Sequence, residues 1–310
     1  MIGRDPTLSV TAEDERFHPP TSEDPTWIET MWFPFWVPDD SISGSVRVWF
    51  SPNAGEGGQQ GGAVAGWRGE SKGLFGDRWT EEYVEPPDLL NLRAGDGLEI
   101  DCLVPLERFQ LRHSTEYSSL DLTFEAIMAP NPVSPAESRG MFAGHFEQPG
   151  RVTGTIAYRG EQRDVDCYSI RDRSWGPRTM PEEIRLGNAH GTAKEFGFFV
   201  YVNPDEDGTE RITSGYLLRD GVSAAIVEGV RETKLRDGMP VGVTLAFRDA
   251  AGRSLEARGE CVNVMASNAG NGVYAVLNLV RWESEGGVSW GENHDVWSET
   301  AWLAAGRPRL

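Results

Sequence analysis

Arg171-Asp172-Arg173-Ser174-Trp175-Gly176-Pro177-Arg178 sets one carboxylate, three guanidiniums and an indole into consecutive positions. A core strand does not tolerate that much charge, and a solvated loop has no need of the Trp. Such a run reads as a buried polar network or the floor of a site. If Cys167–Trp175 stays extended, its side chains alternate between faces. Asp172 then points with Ile170 and Ser174, while Arg171, Arg173 and Trp175 point the other way. An Asp facing an apolar pocket has a raised pKa and can deliver a proton near neutrality. The competing reading is a structural ion pair with a distant Arg, which lowers the pKa and makes a poor acid.

Three further groupings could do chemistry. His145 and Glu147 are two apart, so on a strand they share a face, and a carboxylate-held imidazole is a general base. A satisfied surface pair at a strand start is the plainer alternative. In Gly291-Glu292-Asn293-His294-Asp295-Val296-Trp297, Glu292 and His294 share a face beside Trp290 and Trp297. The plainer alternative there is an edge strand kept polar against aggregation. The third grouping is Trp27–Trp36, where Trp32 and Trp36 share a strand face with Pro34. It suits the wall of a hydrophobic-ligand pocket or an aromatic core plug equally. His190, Tyr168 and Tyr201 could face a cleft between domains, and Trp175 is a core or pocket-wall ring.

Asp172-Arg173-Ser174-Trp175-Gly176 resembles the Asp-Arg-Glu/Ser-Trp-Gly signature of the hydroxyneurosporene synthase (carotenoid hydratase)/AttH-like family, with Ser174 where many relatives carry Glu. His145-Phe146-Glu147-Gln148-Pro149-Gly150-Arg151 and Trp27–Phe33 fit the same pattern and order. The resemblance implies two lipocalin-like β-barrels and activity on a hydrophobic, often isoprenoid or polycyclic, small molecule. The family's chemistry includes hydration of an isolated double bond and cyclisation, without metal or nucleotide. That requires a strong enough acid, an aromatic cage for positive charge and controlled water. Asp172 is the candidate acid. Trp32, Trp36, Trp175 and Trp297, with Tyr168, Tyr201 and Glu292, are the candidate binding set. His145 with Glu147, His190 and His294 are candidate bases.

Composition narrows the classes. The 310 residues allow one large or two ordinary domains, and a formal net charge of −19 argues against nucleic acid or an anionic membrane as partner. Apolar stretches such as Met31–Val37 and Phe196–Val202 are too short to span a bilayer, and no signal-peptide pattern follows Met1. Three well-separated cysteines suggest reduced thiols and a cytoplasmic protein. Neither they nor the five histidines have metal-ligand spacing, so no metal is expected. Phosphate-loop, dinucleotide and nucleophile-elbow motifs are missing, which leaves cofactor-free acid/base work. The reading is a cofactor-independent lyase or isomerase of hydratase or cyclase type. The alternatives are a non-enzymatic carrier of a lipophilic ligand and a scaffold. Oligomeric state is left open.

These residues need a frame. Ser45–Phe50, Leu98–Val104, Leu120–Ile127, Arg151–Tyr158, Phe196–Val202, Ile212–Leu218, Val241–Phe247, Leu255–Val264 and Val273–Trp282 read as strands separated by Gly, Pro and Asp turns. Asn53–Gly62 reads as a mobile hairpin tip and Pro130–Gly140 as a lid or crossover. Short helices suit Pro87–Leu92 and Pro181–Arg185. With 36 Gly, 19 Pro and 11 Trp, the expectation is all-β: two lipocalin-like domains, residues 1–178 and 179–310, with few short helices.

Overall fold

The period-two patterning continues into paired strands along most of the chain. The computed structural model describes residues 9–69, 72–134, 142–178, 183–205, 207–270 and 272–310. Two compact units emerge; among the described residues one takes 9–67 and 73–178, and the other 68–69, 72 and 183–310. The expected seam at 178/179 runs into residues 179–182, which lie outside the described residues, as do parts of the expected Pro181–Arg185 helix and Pro130–Gly140 segment.

The first unit is built on one sheet. Its strands are β1 (Trp27–Val37), β2 (Ile42–Ser51), β3 (Gln59–Arg68), β4 (Lys72–Glu82), β5 (Asn91–Ala94), β6 (Leu98–Val104), β7 (Arg108–Ser114), β8 (Ser118–Ala126), β9 (Asn131–Pro132), β10 (Gly144–Tyr158) and β11 (Glu161–Pro177). They are ordered β4-β3-β2-β1-β11-β10-β8-β7-β6-β5, with β9 beside β10. In a flat sheet β1 and β7 would stand about 19 Å apart, at about 4.8 Å per strand. Yet the Phe33 and Phe109 rings lie 5.5 Å apart, and Phe33 and Phe124 6.0 Å. The sheet is therefore curled, and these rings fill its inner face.

Inside that curl lies a buried ion network. Arg171 donates to Glu15 at 2.5 and 3.1 Å and to Gln148 at 2.7 Å. Its guanidinium sits 4.3 Å from the Phe109 ring centre. Arg173 is held by Glu15 and Glu29. The short 3₁₀ turn Ala12–Glu15 that delivers Glu15 is closed by Thr11 and Asp14, whose carboxylate accepts from the Thr11 N–H at 2.7 Å.

The second unit contains β12 (Arg185–Ala193), β13 (Phe196–Pro204), β14 (Glu210–Arg219), β15 (Val222–Arg236), β16 (Met239–Asp249), β17 (Ser254–Cys261), β18 (Met265–Gly270), β19 (Val273–Ser284), β20 (Gly287–Ser298) and helix α1 (Glu299–Ala304). Their order is β17-β16-β15-β14-β13-β12-β20-β19-β18, and a further β17–β19 pairing closes eight of them into a barrel. Phe198, Val200, Leu245, Phe247, Val280 and Trp282 pack its interior. Arg231 is buried there too, donating to Asp295 at 2.6 Å and to Asn293 at 2.8 Å. The architecture is all-β, two lipocalin-like domains with a single α-helix among the described residues.

Several local expectations are corrected. Asn53–Gly62 is not a mobile tip throughout, because β3 begins at Gln59. Its glycines let rings pack close to the backbone: a Cβ at Gly61 would meet Trp49 at 2.7 Å, and one at Gly62 would meet Trp79 at 2.4 Å. Pro87–Leu92 is a turn leading into β5 rather than a helix. The strand expected over Leu255–Val264 stops at Cys261, with β18 starting at Met265.

Candidate active site

Directly opposed residues on antiparallel neighbours point to the same face of a sheet. One such rung crosses the first sheet as Arg47–Trp32–Asp172–Glu147–Asn131, through β2, β1, β11, β10 and β9. The next rung runs Trp49–Thr30–Ser174–His145. Arg171 and Arg173 lie on the opposite, inner face with Glu15 and Glu29. The alternation along β11 thus separates Asp172 from its two neighbouring guanidiniums, and the Asp172 rung sits on the outer face of the curl.

His145 and Glu147 are 6% and 2% exposed, and His145 Nε2 lies 2.7 Å from Glu147 Oε1. They are no surface pair. Phe142 stacks on His145 at 4.6 Å, and the Arg178 guanidinium lies 4.9 Å from the Phe142 ring centre. Arg178 also donates to Ser174 Oγ at 2.6 Å, and Ser174 shares a 2.7 Å hydrogen bond with Thr30. Asp172 and Trp32 are partly buried and Arg47 is exposed. Among the described residues Asp172 makes no hydrogen bond or ion pair.

The electrostatics follow from that arrangement. Desolvation, reinforced by the Glu147 carboxylate, pushes the Asp172 carboxyl up to about 7, against the opposing pull of His145, Arg178 and Arg47. For His145, burial works against the charged form. The charge and hydrogen bond of Glu147, with Asp172 behind them, outweigh it and raise the imidazole's pKa. The rung therefore holds a carboxylic acid that gives up its proton near neutrality beside a histidine that tends to keep one. This is not the distant-Arg ion pair.

A second titratable cluster lies on the barrel of the other unit. His294 Nε2 is 3.0 Å from Glu292 Oε2, and His190 Nε2 approaches the same oxygen at 3.8 Å. Burial alone would raise Glu292, but its hydrogen bonds and charge contacts with the two imidazoles hold it down to about 2. Tyr201 pairs with Asn188, which pairs with His294, so Tyr201 shares that face. Strand β20 lies between β12 and β19. Its polarity is therefore no edge-strand device.

The remaining expected site residues disperse. Trp36 and Tyr168 share a face with Trp32 and Asp172 but lie four residues along β1 and β11, about 13 Å at strand rise. Trp175 points to the inner face, stacked on His18 at 3.7 Å. Trp297 points away from Glu292 and His294 and meets Arg307 at 4.4 Å. Sequence reasoning missed Arg47 and Arg178 as charges acting on Asp172, and Asn131 as the cross-strand partner of Glu147. Val46 and Val48 are fully buried, so alternation along the expected strand Ser45–Phe50 was a signal for Arg47, whereas cross-strand register, which brings Asn131 to Glu147, is not written in any local pattern.

The fold and these rungs define a protein of two lipocalin-like β-domains with acid/base clusters on the outer faces of its sheets. The chain belongs to the family described as a domain of unknown function, DUF7064, whose model matches residues 11–302. No curated protein matches it. Among solved structures it is similar to a protein provisionally described as AttH from Nitrosomonas europaea, at 14% identity and a TM-score of 0.64, covering 95% of this chain and 98% of that one. It is also similar to kievitone hydratase from Nectria haematococca, at 10% identity and a TM-score of 0.55, covering 96% and 94%. At these identities the likeness establishes the fold. Among the described residues no helix is long and apolar enough to cross a membrane.

Proposed function

We propose that the protein is a cofactor-independent lyase or isomerase of hydratase or cyclase type, acting on a hydrophobic small molecule such as a terpenoid or polycyclic compound. One observation carries this reading. Asp172 is a partly accessible carboxyl with no hydrogen-bond partner among the described residues, and its surroundings push it up to about 7. A structural carboxylate is normally tied to a cation or to N–H groups that depress its pKa; one poised near neutrality beside an indole suits proton delivery. The hydratase among the structures that share this fold is consistent with that chemistry.

In a hydration, Asp172 gives its proton to one alkene carbon and becomes a carboxylate. The positive charge on the other carbon is met by the Trp32 face, opposite Asp172 in the sheet, and by the nearby carboxylates. Water adds to that carbon and releases a proton that reloads the Asp172 carboxylate, while Glu147 keeps His145 protonated. The sum is alkene plus water giving alcohol. Omitting the water step and removing a proton from a neighbouring carbon gives isomerisation; attack on the cation by a second double bond of the same molecule, before that proton is lost, gives cyclisation.

The test is incubation with a panel of terpenoid and polycyclic alkenes in D₂O, followed by mass spectrometry. A product bearing added water or carbon-bound deuterium supports the reading. Ligands that bind without any mass change across the panel would make the protein a carrier.

A further inference from the structure

We propose that the Glu292 cluster on the β12–β20 face is a second ligand site, a receptor for one neutral hydroxyl group on a planar ring compound. It stands on observations separate from those at Asp172. Glu292 is fully buried, and both imidazoles approach it through one oxygen, Oε2. Its other oxygen, Oε1, has no partner among the described residues. Thr192 is 2% exposed, and its hydroxyl also has no partner there. Thr192 pairs with Trp290, two residues before Glu292 on β20, and lies two residues beyond His190 on β12. The two groups are therefore neighbours on one face, one step apart along the strands.

Their chemistry defines the guest. Glu292 is held ionised, down to about 2, so Oε1 can only accept a hydrogen bond. The Thr192 hydroxyl can donate one. A group that donates to Oε1 while accepting from Thr192 is an alcohol or a phenol. An ether can accept but not donate, and so leaves the buried carboxylate oxygen unpaired; an anionic carboxylate is repelled by Glu292. The flank is aromatic. His190, Phe199 and Tyr216 are paired in register across β12, β13 and β14, with rings stacked at 6.0 and 6.4 Å. That row suits a flat ring carrying the hydroxyl. His294, at 8% exposure, is less buried than Glu292, His190 and Thr192.

The probes are 2-naphthol, 2-methoxynaphthalene and 2-naphthoate, titrated calorimetrically into the full chain near neutral pH. The wild-type protein should bind 2-naphthol at least about tenfold more tightly than its methyl ether, with 2-naphthoate weakest. Glu292→Gln should narrow the naphthol-to-ether ratio and relieve the penalty on naphthoate, and Thr192→Val should narrow the ratio while keeping that penalty. Asp172→Asn should leave the ratio unchanged. Circular dichroism and melting temperature check that each variant is folded, and Thr192→Val carries the test if Glu292→Gln is not. Equal binding of naphthol and its ether by wild type, no binding of either, or discrimination that survives both barrel variants overturns the proposal. So does discrimination that is lost only in Asp172→Asn, because the hydroxyl would then be read at the other cluster.

Discussion

Asp172 shows how one side chain's setting decides its role. Its two neighbours in sequence are arginines, and a linear reading surrounds it with positive charge. Strand alternation sends both guanidiniums to Glu15 and Glu29 on the other face, leaving Asp172 with Glu147 and a desolvated setting. That has a consequence for stability. Its folded pKa of about 7 lies above the ordinary value of 3.8, so the stability it contributes is fully present below the ordinary value and lost as pH rises through about 7. Asp172→Asn removes this titration. The variant should match wild type near pH 4 and exceed it above pH 7, by on the order of 2 kcal/mol after allowing for partial exposure. Melting temperatures of both proteins from pH 4 to pH 8 check this; a variant that melts lower than wild type at pH 8 would point to a lost ion pair instead. The face of Asp172 was legible in the sequence because it needs only period two. The company it keeps was not, since Arg47 and Arg178 act on it through strand register and a loop.

At the scale of elements, the strands that the sequence revealed were those with clean apolar alternation, such as Leu98–Val104, which is β6 in full. Those it hid break the pattern for physical reasons. Strand β3 spends side chains to admit rings: Gly61, Gly62 and Gly66 lie under Trp49, Trp79 and Phe75. Gly62→Val should drive a branched side chain into Trp79 and the Arg47 carbonyl, costing about 1–3 kcal/mol as a fall in the urea midpoint. An unchanged midpoint would show that the ring moves aside freely. The 3₁₀ turn Ala12–Glu15 is anchored by one carboxylate that serves two buried arginines. Glu15→Gln should therefore leave uncompensated charge inside the curl and cost about 3–5 kcal/mol, read as a large drop in melting temperature. A drop of a degree or less would mean that Glu29 alone satisfies both guanidiniums. Glu15 carried no signal in the sequence, being one acid among 48.

For the whole molecule, turn spacing and aromatic content announced an all-β protein of two lipocalin-like domains. They did not announce that one unit is a closed eight-stranded barrel and the other a curled open sheet. Closure depends on β17 meeting β19 past an intervening strand, a long-range pairing without a local cue. The candidate residues likewise divide by unit: Asp172, His145, Glu147 and Trp32 on one, and His190, Glu292, His294 and Tyr201 on the other. The central claim concerns the first group, and it is tested most directly by the pH dependence of proton delivery. With an alkene that the protein converts, the rate of deuterium transfer from D₂O to carbon is measured from pH 5 to pH 9 for wild type and Asp172→Asn. Asp172 must be protonated to act, so the wild-type rate should fall as pH rises through about 7, roughly tenfold per unit beyond it. Asp172→Asn should bind the alkene with little change and transfer no deuterium. An Asp172→Asn protein that keeps the wild-type rate and the same pH profile would contradict Asp172 as the acid.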